Sequence, residues 1–158
     1  MTEESRETVQ VAMVTHDGPP PNELPALIDP GRVAWRSEAV ALSVPYLLVY
    51  TTGAEFVLLG RSKARRVDAT KLAQELRRGF GGHETGQGFS FRSLGVVALG
   101  SEVRDDGAFR CLGWVPIPAA GDVVMSLEWP SQGIAKGEHR IEGERIRQAA
   151  GRALNLWA

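Results

Sequence analysis

Apolar and polar residues alternate most strictly over "DVVMSLEW", where Val123, Met125, Leu127 and Trp129 fall on one side and Asp122, Val124, Ser126 and Glu128 on the other. A period of two is the pattern of a strand with one buried face. Pro130 ends it, because proline has no N–H to give a ladder. "EAVALSVPYL" repeats the pattern with Val40, Leu42, Val44 and Tyr46 on one face, and Pro45 marks an edge strand or a bulge. "YLLVYTTGAEFVLLG" reads as two strands around a turn at Thr52–Gly53. "FSFRSLGVVALG" and "FRCLGWVPI" add two more strands, joined by the turn Asp105–Gly107. "VQVAMV" is a short first strand.

Two segments follow the helical period instead. "DATKLAQELRRGFGG" offers Asp68 or Thr70 as N-cap, Leu72, Leu76 and Phe80 at spacing four, and Gly79 as a stop. "EGERIRQAAGRALNLWA" places Ile146, Ala149, Ala150, Ala153, Leu154 and Trp157 along one stripe, with Arg145, Gln148 and Arg152 opposite. This predicts a C-terminal amphipathic helix lying on the core through Leu154 and Trp157. Residues 1–8 read as a disordered tail. Residues 16–31, with five prolines, read as an irregular arm tethered by Leu24, Leu27 and Ile28. Many short strands, turn signals and a closing helix predict a mainly β fold. The expected form is a single antiparallel β-sandwich domain over 9–158. It carries the C-terminal amphipathic helix and one short helix within a basic, glycine-rich insertion at 61–88.

With 158 residues and 43% apolar content, the chain can bury one substantial core. Its net charge of −1 gives no chain-wide pull toward nucleic acid or anionic lipid, so any such attraction must be local. No apolar run reaches the roughly 20 residues a bilayer requires. The polar N-terminus and the lone Cys111 fit a soluble cytoplasmic protein that does not bind membrane.

A resemblance bears on the fold. Trp114, Pro116 with Pro118, Gly121, Glu128-Trp129-Pro130, Gly133-Ile134 and Leu156-Trp157 occur in that order. The stretch resembles the C-terminal half of an uncharacterised family of small β-sandwich-like proteins from high-GC Gram-positive bacteria. "VALSVPYLLVYTTGAEFVL" resembles its first half more weakly, and the basic segment between has no counterpart. The resemblance implies a fold and no activity.

Candidate chemistry is sparse. Trp129 belongs to the core and calls for a partner for its indole N–H, while Glu128 reads as a solvated carboxylate, then as a partner for an arginine of the last helix, and last as a catalytic carboxylate. His83 and Glu84 lie in the glycine-rich run "GGHETGQGF", which reads as a mobile loop or, alternatively, as an enzyme site with His as acid–base and Glu orienting it. Glu138, His139, Glu142 and Glu144 lack H-E-x-x-H spacing. No catalytic residue, metal site or cofactor is assigned. Cys111 reads as a small buried hydrophobe.

The strongest departure from an even surface is "RSKARRVDATKLAQELRRG". Arg61, Lys63, Arg65, Arg66, Lys71, Arg77 and Arg78 stand there against Asp68 and Glu75. Such a cluster fits an acidic protein surface or partner subunit, and alternatively a phosphate backbone, although it lacks interleaved aromatics for base stacking. The expectation is a non-enzymatic interaction module, a small adaptor, regulatory or assembly subunit. Its alternatives are a nucleic-acid-binding accessory protein using 61–78 and an enzyme at His83–Glu84. Self-association through an exposed edge strand is a further option.

Overall fold

The computed structural model describes residues 18–64, 66–81 and 86–157. The expected tail 1–8, the strand expected at 9–14, and His16, Arg65, His83 and Glu84 lie outside these residues. What is described is mainly β, with two antiparallel sheets, a two-stranded ribbon, two helices and no closed barrel among the described residues.

The larger sheet is organised by its longest strand, β6 (Gly53–Ser62). Along one edge β6 pairs first with β5 (Leu47–Val49) and then with β4 (Val40–Ser43). Along the other it pairs over its full length with β9 (Ala108–Pro116). Outside these lie β2 (Ala26–Ile28) on β5, β3 (Ala34–Arg36) on β4, and β8 (Val97–Val103) on β9. The smaller sheet runs β11 (Ile134–Ile141), β10 (Val123–Trp129), β7 (Ser90–Arg92). The ribbon joins β1 (Glu23–Leu24) to β12 (Leu154–Asn155).

β10 carries its expected alternation, with Val123, Met125, Leu127 and Trp129 all buried. They meet the inner face of the larger sheet in one core. Phe91 lies 5.6 Å from Phe56 and 6.2 Å from Trp35, and Trp129 lies 6.1 Å from Phe109. These tilted and edge-on rings link strands far apart in sequence. Helix α1 (Ala69–Gly79) packs beside β7 and β8 and buries Leu76 in the same core. Its N-cap is Asp68, whose carboxylate accepts from the Lys71 amide at 3.1 Å. Helix α2 (Gly143–Ala150) closes the end near β2 and β5 with Ile146 and Ala149 buried.

Four expectations need correction. The inward run Val40, Leu42, Val44 does not continue to Tyr46. The pairing with β6 slips by one residue between Ser43↔Leu59 and Leu47↔Phe56, around Pro45, so Leu47 turns inward and Tyr46 is exposed. "FSFRSLGVVALG" is two strands in different sheets, parted by a turn at Leu94–Gly95 where Gly95 has φ 74°. The proline-rich arm holds ladder bonds after all, in β1 and β2 on either side of Pro25. Ile28 is buried there, while Leu24 and Leu27 are exposed.

The last correction is the largest. The helix stops at Ala150, and the chain returns as β12, with Leu154 opposite Leu24 and the Leu156 amide on the Asn22 carbonyl at 2.8 Å. Leu154 and Trp157 therefore do not lie on the core; Trp157 is 81% exposed. The stripe was misleading because glycine at the Gly151 cap disfavours a further helical turn, the next residues pair with β1 instead, and alanines score as apolar in either state.

Candidate functional site

Trp129 at the end of β10 finds the partner its indole needs. Its Nε1–H donates to Glu75 Oε2 at 2.8 Å, and the same oxygen accepts from the Phe89 amide at 3.2 Å. One carboxylate of α1 thus ties the helix, the strand end and the approach to β7 together. Beyond Trp129 the chain turns through Pro130–Gln132, and Gly133 takes a left-handed φ of 80° before β11 begins. Glu128 faces away, in register with Ser90, and makes none of the ion pairs among the described residues. The hydrogen bonds that Glu75 accepts are structural.

The histidine that is described is structural as well. His139 Nε2 lies 2.8 Å from the Ala34 carbonyl, and its ring meets Trp35 edge-on at 5.0 Å. The Trp35 indole donates to the Gly137 carbonyl at 3.0 Å. Together these contacts lace β3 to β11. Cys111 is buried, and burial pushes its thiol up to about 12. It is held as a neutral thiol at ordinary pH. Among the described residues no three metal-binding side chains come together, and no helix is long and apolar enough to cross a membrane.

The outer face of the larger sheet differs. Strand register sets its rows: Arg36, Ala41, Arg61 and Ala108 form one, and Ala34, Ser43, Leu59, Arg110 and Glu102 the next. Alanine and serine in mid-row leave the long side chains standing around a hollow. The result is an open groove of about 540 Å³, lined among others by Ala41, Leu59, Arg61, Arg104, Ala108 and Arg110. Leu59 is 41% exposed on its floor. Arg110 pairs with Glu102 at 2.9 Å and Arg104 with Asp106 at 2.8 Å, both in solvent. Arg61 forms no ion pair among the described residues.

The other end of this face is closed and acidic. Trp114 and Val57 are buried there, and burial raises the Glu55 carboxyl above its ordinary value. The Tyr50 hydroxyl is raised first by burial, then by Glu55 and Glu23. The arginines of the outer face gather at one end, where Glu102 and Asp106 stand among them, and Glu55 lies at the other.

The basic cluster is dispersed over the fold. Arg61 lines the groove; Lys63 and Arg66 lie between β6 and α1; Lys71 occupies the first turn of α1, Arg77 and Arg78 the last. Arg36, Arg104 and Arg110, which join Arg61 on the outer face, come from sequence positions with no clustering signal. Only strand pairing assembles them. No protein-family model, curated protein or solved structure matches the chain.

Proposed function

We propose that this protein is a non-enzymatic interaction module, a small cytoplasmic adaptor, regulatory or assembly subunit, that docks an acidic partner segment on the arginine end of its outer sheet face. We read its two sheets as an antiparallel β-sandwich and place the chain with the high-GC Gram-positive family that its C-terminal half resembles. The observation that carries the functional reading is the groove itself. An apolar floor of Ala41, Leu59 and Ala108 is rimmed by Arg61 and by Arg104 and Arg110, which share solvent-exposed ion pairs with Asp106 and Glu102. That chemistry suits a leucine-like side chain flanked by carboxylates, because guanidinium groups pair with carboxylates through planar, two-pronged hydrogen bonds. Rim charges would govern the rate of encounter and its salt dependence, and the floor would hold the anchor.

The test is fluorescence anisotropy with a labelled peptide alternating glutamate and leucine. Saturable binding is expected, weakening by about tenfold or more in the double variant Arg61→Glu, Arg104→Glu and fading with added salt. Equal binding of a lysine–leucine peptide would overturn the reading. So would retention on a nucleic-acid column that the same double variant abolishes, with no peptide binding; the nucleic-acid alternative would then hold.

A further inference from the structure

A second hollow lies on the opposite side of the larger sheet, between α1 and β8. It measures about 310 Å³. Its floor is Leu76, Phe80 and Cys111, all buried, and its wall is Leu99. Arg77 and Ser101, both exposed, complete the lining. The sequence explains why the space is open. β8 carries a register shift between Ala98↔Gly113 and Gly100↔Leu112, so Leu99 is the extra residue and β8 bends there. Gly100 contributes no side chain, and Ala98 and Ser101 are short. The helix packs beside β8 and is anchored to the core by the Glu75 bond to Trp129.

We infer that this cavity binds a medium-chain aliphatic carboxylate, with its tail on Leu76, Phe80 and Cys111 and its carboxylate at Arg77 and Ser101. The shape argues for a single tail, since a hollow of this size lies at the small end of ligand pockets. The lining argues for an apolar tail, because Leu76, Phe80 and Cys111 form the floor and among the described residues no buried side-chain polar atom lacks a partner. The one cation among the lining residues is exposed, which orients the ligand head outward. Arg77 makes no ion pair among the described residues.

The experiment is a chain-length ladder of linear carboxylates, from butanoate to dodecanoate below their micelle concentrations. Binding is followed by calorimetry and by amide NMR shifts on the full chain. Each added methylene should tighten binding by about fourfold until the cavity is full, after which affinity levels off. Shifts should centre on Leu99, Ser101 and Cys111. Arg77→Glu should weaken the carboxylates by about fivefold while leaving the corresponding alcohols unchanged. Ala98→Phe, at an exposed position on the rim, should abolish binding by filling the space without disturbing the core. Four results would overturn the inference: no saturable binding, affinity that climbs without a plateau, alkylammonium ions binding as well as carboxylates, or undiminished binding by a folded Ala98→Phe variant.

Discussion

The two faces of the larger sheet are made by the same strands and serve opposite ends. On β6, Ala54, Phe56 and Leu58 point inward and are fully buried, while Leu59 and Arg61 point outward and are exposed. Inward, side-chain volume is matched ring against ring with Phe80, Phe91 and Trp129. Outward, the rows at the arginine end use alanine and serine where a sheet seeking cover would place valine and isoleucine, while Val57 and Trp114 further along are buried. The inner face is therefore committed to its own chain, and the arginine end of the outer face retains an open groove in which Arg61 forms no ion pair among the described residues. The lesson is that burial alone does not separate fold from function here. What separates them is whether neighbouring rows fill the space between strands.

The largest way to test that division is on the inner side. Trp129→Ala should cost about 3–5 kcal/mol in chemical denaturation, the range for truncating a buried tryptophan. A loss below about 1 kcal/mol would mean that the layers are not joined as described. Next comes the carboxylate that satisfies the indole. Glu75→Leu should cost about 1–3 kcal/mol, because it strands the buried Trp129 N–H, and Glu75→Gln should recover most of that through its amide oxygen. If Gln were no better than Leu, the hydrogen bond would not be the reason for Glu75.

A smaller effect reads the inner face through pH. The folded state raises the Cys111 thiol from 9.0 to about 12. Its stabilising contribution is complete below pH 9, where both states hold the proton. Above pH 9 the unfolded chain ionises first, so that contribution falls by about 1.4 kcal/mol per pH unit until the folded thiol ionises as well. The difference in stability between the parent chain and Cys111→Ala should shrink with that slope between pH 9 and 12. A flat difference would place the thiol in contact with water. The smallest effects belong to the outer side: Arg61→Ala and Trp157→Ala should each leave stability within about 0.5 kcal/mol. A larger loss at Arg61 would mean that this side chain supports the fold rather than a partner.

How much of this could be read from the residues depended on how many levels of structure a signal must cross. β10 was legible because four large apolar residues alternate without interruption, and Asp68 was legible as a cap because its chemistry acts within one turn. The C-terminal segment was not. An alanine-rich stripe suits a helix by composition, yet Gly151 ends it, and the pairing of Leu154 with Leu24 is a contact between residues 130 positions apart. The split between β7 and β8 hid behind a continuous apolar run. The partner of Trp129 could be predicted as a need but not as Glu75, since nothing local links them. The basic run 61–78 was visible as composition, yet of its described members Arg61 alone lines the groove, which is completed by Arg104 and Arg110 across strand pairs.

The most direct test of the division between faces is an amide NMR titration of the full chain with the glutamate–leucine peptide. The account predicts saturable shifts at Ala41, Ser43, Leu59, Arg61, Ala108 and Arg110, with the amides of Met125 and Leu127 unmoved. Shifts confined to Arg77 and Arg78 at the end of α1, or no saturable shifts at all, would contradict it.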